Sequence, residues 1–222
     1  RGYFAINGDL AKKEVILTFD DGPSGQYTPQ ILAALKAVNA KAIFFALGKA
    51  AKANPALLKK VAADGHVVGS HTVNHLCIGN QTQCRKSNGG RLLSYEKGVS
   101  EIAGGHNIIF DILGYADHFF RFPYGGSSPA LKNFLASNQV GEFFWNIDSN
   151  DWRNQTPASM IQSTMAQLDK HGRGIILFHD IQRKTAIALP TLLEKIYDKG
   201  YSIVLLQPMD ANSKYRRLNT VN

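Results

Sequence analysis

Five short apolar runs in this chain each end on a charged or hydrogen-bonding side chain, and that repetition limits the fold more than any other feature. Val15–Phe19 runs into Asp20 and Asp21, and His66–Gly69 leads to His71. Phe119–Phe122 contains Arg121, Glu142–Ile147 leads to Asp148, and Gly174–Phe178 leads to His179. Two further runs, Ala42–Leu47 and Tyr201–Leu206, are also expected to be strands. Helical segments lie between most of them. After Pro29, the residues Ile31, Leu32, Leu35 and Val38 share one helical face. Asn54-Pro55, Ser128-Pro129 and Thr156-Pro157 read as a polar cap followed by proline at the first helical position. Gly65 and Gly200 fit C-terminal caps. Short apolar strands alternating with amphipathic helices mean a parallel sheet covered by helices. In a (β/α) barrel the carboxyl ends of the strands converge on one mouth, whereas in an open sheet they spread along an edge. Five polar strand ends favour the barrel. The expected fold is therefore α/β, a distorted (β/α) barrel of about seven parallel strands. The region Leu76–Ile108 fits least well, being rich in Gly, Asn and Ser before it turns helical near Leu92–Ala103.

The polar ends have chemistry of their own. Asp20 and Asp21 are adjacent carboxylates followed by a Gly22-Pro23 turn. Burying two neighbouring acids is costly unless something cationic holds them. His71 and His75, four positions apart, offer what a divalent metal needs. Together with Asp21 they make a three-ligand set with an open position, the pattern of a hydrolytic centre rather than a structural one. A helical turn opened by Thr72 would put both imidazoles on one face. Asp20 is then free to act as a base on water. Alone, two histidines at this spacing are most often a surface turn, and the Asp-Asp pair is what raises the signal.

Arg121-Phe122-Pro123-Tyr124-Gly125 adds a cation that can hold Asp20 ionised. Its Pro and Gly fix a turn that can aim the Tyr124 N–H at a developing oxyanion. Asp148-Ser149-Asn150-Asp151-Trp152 and Leu177-Phe178-His179-Asp180 close two more strands. A histidine oriented by a carboxylate, here His179 with Asp151, suits a general acid. Trp152 reads as a flat face for a sugar ring, with a core aromatic as the even alternative. His66, His106, His118 and His171 fit no constellation and read as surface or packing residues.

With 222 residues, 44% of them apolar, the chain suits a single domain over 1–222. No apolar run reaches the roughly 18 residues of a membrane span. The net charge of +8 favours anionic partners. The basic residues are scattered, with small clusters at Lys12-Lys13, Lys59-Lys60 and Arg216-Arg217 and no nucleic-acid-binding motif, so no nucleic-acid partner is expected. Nothing in the sequence sets an oligomeric state. Cys77 and Cys84 are the two cysteines and bracket a polar loop. A disulfide between them is expected ahead of free thiols or zinc ligation, and it would suit an oxidising compartment. Closing so short a loop is worth about 2–3 kcal/mol in the chain-entropy view.

Taken in order, the five segments resemble the NodB-homology polysaccharide deacetylases, carbohydrate esterase family 4, from about Glu14 to Pro208. The resemblance implies metal-dependent removal of N- or O-acetyl groups from a polysaccharide. It implies Asp20 as catalytic base, Asp21, His71 and His75 as metal ligands, and Arg121 as the residue that positions the base. It implies an oxyanion-binding N–H at Tyr124, and His179 and Asp151 as the acid and its tuning partner. Trp152 and Leu177, with Pro123 and Tyr124, would wall the substrate pocket. The ion implied is Zn²⁺, with Co²⁺ or Ni²⁺ as other candidates. The expected function is a secreted or periplasmic N-deacetylase of an anionic cell-wall glycan, peptidoglycan first. Chitin or poly-N-acetylglucosamine, acetylxylan, a hydrolase of small cyclic amides and a catalytically dead sugar-binding protein are the alternatives. A serine hydrolase is disfavoured, since no G-x-S-x-G occurs. Two features depart from the family pattern. Phe122 stands where many members have a second proline, and the polar stretch Leu76–Gly90 follows the histidines closely enough to form a groove wall or an outer rim.

Overall fold

A computed structural model describes residues 10–208 and 216–218. The outer parts of the expected 1–222 domain, residues 1–9, 209–215 and 219–222, lie outside the described residues. The elements are β1 (Glu14–Asp20), α1 (Thr28–Ala37), β2 (Ile43–Ala46), α2 (Gly48–Ala53), α3 (Pro55–Ala63) and β3 (Val67–Ser70). A short α4 (Thr82–Arg85) precedes the long α5 (Tyr95–Leu113), followed by β4 (Phe119–Phe120), α6 (Pro129–Ser137), β5 (Gly141–Glu142) and β6 (Ile147–Asp148). The chain continues through α7 (Pro157–His171), β7 (Gly174–His179), α8 (Arg183–Asp198) and β8 (Ser202–Ile203).

The strands pair in the order β5-β4-β3-β2-β1-β7-β6, every pairing is parallel, and the sheet curls into a half-barrel. Both ends of that path come from one stretch of chain. The single strand expected over Glu142–Ile147 is two, because its halves serve opposite edges. The Phe143 N–H donates to Phe120 O beside β4 (2.8 Å), and the Asn146 N–H donates to Ile175 O on β7 (3.3 Å). The run therefore leaves one ladder to join the other and spans the gap between the edges. The last expected strand, Tyr201–Leu206, shrinks to β8, which pairs with Glu14 and Val15 on β1.

Alternation along the strands separates two faces. Ile16, Ile43, Phe45, Val67, Phe119, Phe143 and Ile175 form one buried cluster inside the curl. Val15, Leu17, Phe19, Ile176 and Phe178 point the other way, into the layer shared with Leu32, Leu35, Leu189 and Leu192 of α1 and α8. Thr18 and Asp20 follow Ile16 on the inner face, and Leu177 and His179 follow Ile175. The polar side chains thus rise from the apolar floor at the carboxyl end of the sheet.

The helix ends bear out most of the sequence signals. Ser128 accepts a hydrogen bond from the Leu131 N–H and Thr156 from the Ser159 N–H. Asn54 does not cap its helix. Its amide instead donates to Pro23 O at 3.1 Å and ties α3 to the Asp20–Pro23 turn.

Candidate active site

β1 and β7 bring two acids and a histidine to one place. Asp20 and His179 are register partners in adjacent strands. Asp20 is 2% exposed and receives a hydrogen bond from Arg121 Nη1 at 2.7 Å. Arg121 is fully buried, and also donates to Thr18 Oγ1 (2.8 Å) and Phe144 O (3.3 Å). Its guanidinium lies over the Phe45 ring, 4.4 Å from the centroid. Burial pushes the Asp20 carboxyl up to about 6 against the pull of Arg121. It is therefore ionised at neutral pH but basic enough to accept a proton.

Asp21, His71 and His75 bring one donor atom each to within 4.8 Å of one another. Asp21 Oδ1 lies 3.7 Å from His71 Nε2 and 3.4 Å from His75 Nε2. Tetrahedral coordination with bonds of about 2.0–2.1 Å sets donors about 3.3 Å apart, so little movement is needed to hold an ion. The His71 Nδ1–H donates to Arg121 O at 2.7 Å, which leaves Nε2 as the free donor. Burial holds His71 well below the usual imidazole range and His75 at about 4, so both rings are neutral, as ligands must be. Asp21 Oδ1 is buried with no hydrogen-bond partner, and this orphaned oxygen faces two ring nitrogens. These residues fit a divalent cation.

The histidines do not meet as the sequence suggested. No helical turn forms at Thr72. Thr72 (φ 73°) and His75 (φ 60°) are both left-handed, and Thr72 Oγ1 accepts from the His75 N–H at 3.1 Å. The bend is pinned from outside by Glu101 of α5, which is buried and accepts from both the Asn74 N–H and the Asn74 side-chain amide at 2.9 Å. Asp21 (φ 78°) and Tyr124 (φ 58°) are left-handed too. Four such non-glycine residues in one site are stored strain, of the kind that collects where function dictates geometry.

His179 is gripped by Asp151, which is fully buried. Its Nδ1 lies 2.6 Å from Asp151 Oδ1, and its backbone N–H donates to Oδ2 at 2.6 Å. Thr185 Oγ1 donates to the same Oδ2. Burial opposes a charged imidazole, but the bond and charge of Asp151, with Asp21 and Asp20 nearby, push His179 up to about 9.

Around this centre, Tyr124 is 52% exposed and its ring lies 4.5 Å from that of His75. Among the described residues its N–H donates to no protein acceptor. Pro123 is buried beneath the turn, and Leu177 is buried below His179. Trp152 is 55% exposed, which rules out a core aromatic. Phe122 packs away from the site against Phe120, in the cluster that holds Ile102 and Leu131. Asp148 turns into its own loop, where it accepts from the Asn150 N–H, and does not join the centre. His66, His106 and His118 are buried packing residues. Besides Glu101 and Thr185, the sequence reading missed the part played by Asp180. It is buried beneath Gly22, accepts from Thr28 Oγ1 at 2.7 Å, and is pushed by burial up to about 7. Its place after His179 was the one available signal.

The family model for polysaccharide deacetylase matches residues 7–142. A peptidoglycan-N-acetylglucosamine deacetylase of Bacillus cereus is 34% identical over 199 residues, covering 86% of this chain and 68% of that protein. The peptidoglycan-N-acetylglucosamine deacetylase PgdA of Listeria monocytogenes is 32% identical over 197 residues, 89% of this chain and 39% of that protein. Among solved structures, the Bdellovibrio bacteriovorus peptidoglycan deacetylase Bd3279 superposes with a TM-score of 0.87 at 48% identity, over 100% of this chain and 60% of that one. The chain thus spans 39% of the Listeria protein and 60% of the Bdellovibrio one, less than two thirds of each.

Proposed function

Because this chain belongs to the polysaccharide deacetylase family, we propose that it is a metal-dependent N-deacetylase acting on the acetamido sugars of peptidoglycan. One observation carries the reading. A base held by a cation (Asp20–Arg121) and an acid held by an anion (His179–Asp151) stand in adjacent strands beside the Asp21, His71 and His75 donors. Amide hydrolysis needs both, since water must lose a proton and the departing amine must gain one.

Asp21, His71 and His75 would hold a divalent cation, zinc in this reading, which would supply Lewis-acid polarisation of the scissile carbonyl and lower the pKa of water. Asp20 accepts the proton of the attacking water, with Arg121 fixing its rotamer. The Tyr124 N–H donates to the oxyanion as it develops. His179 carries its second proton on Nε2 at neutral pH and passes it to the leaving nitrogen, while Nδ1–H stays on Asp151. Trp152 and Leu177 bound the space for the sugar ring and acetyl methyl. The net charge of +8 supports a polymer bearing carboxylates, as peptidoglycan stems do. The Cys77–Cys84 disulfide supports work in an oxidising compartment, periplasmic or extracellular.

The test is acetate release by zinc-loaded protein from peptidoglycan, with chitin oligomers in parallel and Asp20→Asn as control. Release from peptidoglycan that vanishes in the variant is the expected result. A better yield from chitin oligomers moves the substrate. No release from either, with zinc bound, overturns the enzyme reading in favour of a sugar-binding role.

A further inference from the structure

The loop after His75 reaches across to the turn that carries Tyr124. Cys77 lies two positions after His75 and is joined to Cys84, with the Cα atoms 5.4 Å apart. Both residues are buried. Three contacts seat this loop on Pro123–Ser127. The Asn80 N–H donates to Ser127 O at 3.3 Å. A Cβ at Gly126 would lie 2.2 Å from Cys84 Sγ, so the sulfur occupies the space of the missing side chain. A Cβ at Gly79 would lie 2.3 Å from the carbonyl carbon of Gly126, so the two backbones touch directly. On its far side the loop is held by Asn88, whose side chain accepts from the Cys77 N–H at 3.1 Å and donates to Cys77 O at 2.6 Å. Ser87 Oγ donates to Cys84 O.

The turn braced in this way needs bracing. Tyr124 sits at φ 58°, disfavoured for a residue with a side chain. Two bonds of its own hold the turn, Gly125 N–H to Phe122 O and Gly126 N–H to Pro123 O, each 3.0 Å. Cys84 presses on Gly126, two positions from Tyr124, and Cys77 is anchored two positions from His75.

We propose that the Cys77–Cys84 disulfide is a positioning element of the active site, fixing the Tyr124 N–H relative to His75. This rests on the reading of that N–H as the oxyanion donor, and so on the function proposed above. A disulfide acting only on the unfolded chain changes stability and leaves turnover alone. One that aims a donor changes kcat, because a misplacement of about 1 Å costs on the order of a hundredfold.

Two variants decide the matter: Cys77→Ala/Cys84→Ala, and Gly126→Ala with both cysteines kept. For each, kcat and KM on peptidoglycan fragments, zinc content, and amide hydrogen exchange at positions 125 and 126 are measured. Both are expected to retain zinc and keep KM within about twofold, while kcat falls about tenfold or more and exchange at the amides of positions 125 and 126 accelerates. Unchanged kcat in either folded variant overturns the proposal. If the double variant fails to fold, Gly126→Ala, in which the sulfur is displaced but the bond is intact, gives the answer. If the native protein releases no acetate at all, the deacetylase reading fails. The exchange rates then still decide the bracing, and unchanged protection overturns it.

Discussion

Asp151 holds His179 at two points, the ring through Oδ1 and the backbone N–H through Oδ2, each at 2.6 Å. The carboxylate therefore fixes the position of the imidazole as well as its charge. With His179 pushed up to about 9, the proposed acid stays protonated across neutral pH and is lost as pH rises through that value. Asp151→Asn removes the negative charge, so the alkaline limb of the kcat/KM profile is expected to move to lower pH. His179→Ala is expected to cost about 10²–10⁴ in amide hydrolysis with bound zinc unchanged. Loss of zinc in that variant, measured by elemental analysis, would contradict the acid role.

Arg121 is the sole cation bonded to Asp20 among the described residues, and both are buried. Arg121→Met leaves the carboxyl, already raised to about 6, with burial unopposed by its main counter-charge. The proposed base, Asp20, must be ionised to accept a proton, so the acidic limb of the rate profile is expected to move to higher pH. Removing one partner of a buried pair should also cost about 3–5 kcal/mol of stability. Denaturant unfolding checks the second effect, and an unmoved acidic limb would sink the first.

His66 accepts the Ala42 N–H on Nδ1 at 3.1 Å, so protonating it breaks this side-chain bond to the backbone just before β2. Burial holds it at about 4 in the folded protein, against about 6.5 when unfolded. The unfolded chain binds this proton first. The stabilisation is therefore complete above pH 6.5 and is lost as pH falls toward 4. His66→Asn offers an amide oxygen in place of Nδ1, and its Tm is expected to fall less steeply over that window. Parallel Tm curves for the two proteins would show that His66 is not involved.

The strand ends were legible because apolar runs that stop abruptly at Asp, His or Arg are unusual and recur in order. Asp20, Asp21, His71, His75, Arg121, Asp151 and His179 all come to one region on that logic. Backbone hand was not legible. The Thr72–His75 bend depends on left-handed threonine and histidine, which local propensity disfavours and which Glu101, about thirty positions away, holds in place. Nor could apolar content show that Glu142–Ile147 divides between two edges, because that division is decided by which neighbours the curl presents. Asp148 misled for a related reason, since it sits at a true strand end but bonds its own loop.

The pairing of β1 with β7 also sets a schedule. Thr18 Oγ1 donates to Ile176 O across 158 positions of chain, and Asp20 meets His179 in the same ladder. Contacts so distant are made only after the loop between them has closed. A partly synthesised chain can hold Asp21, His71 and His75 yet has no proton donor to set against Asp20. The pairing of base and acid that the proposed deacetylation requires thus arrives in a single late step of folding, when the first strand finds one of the last.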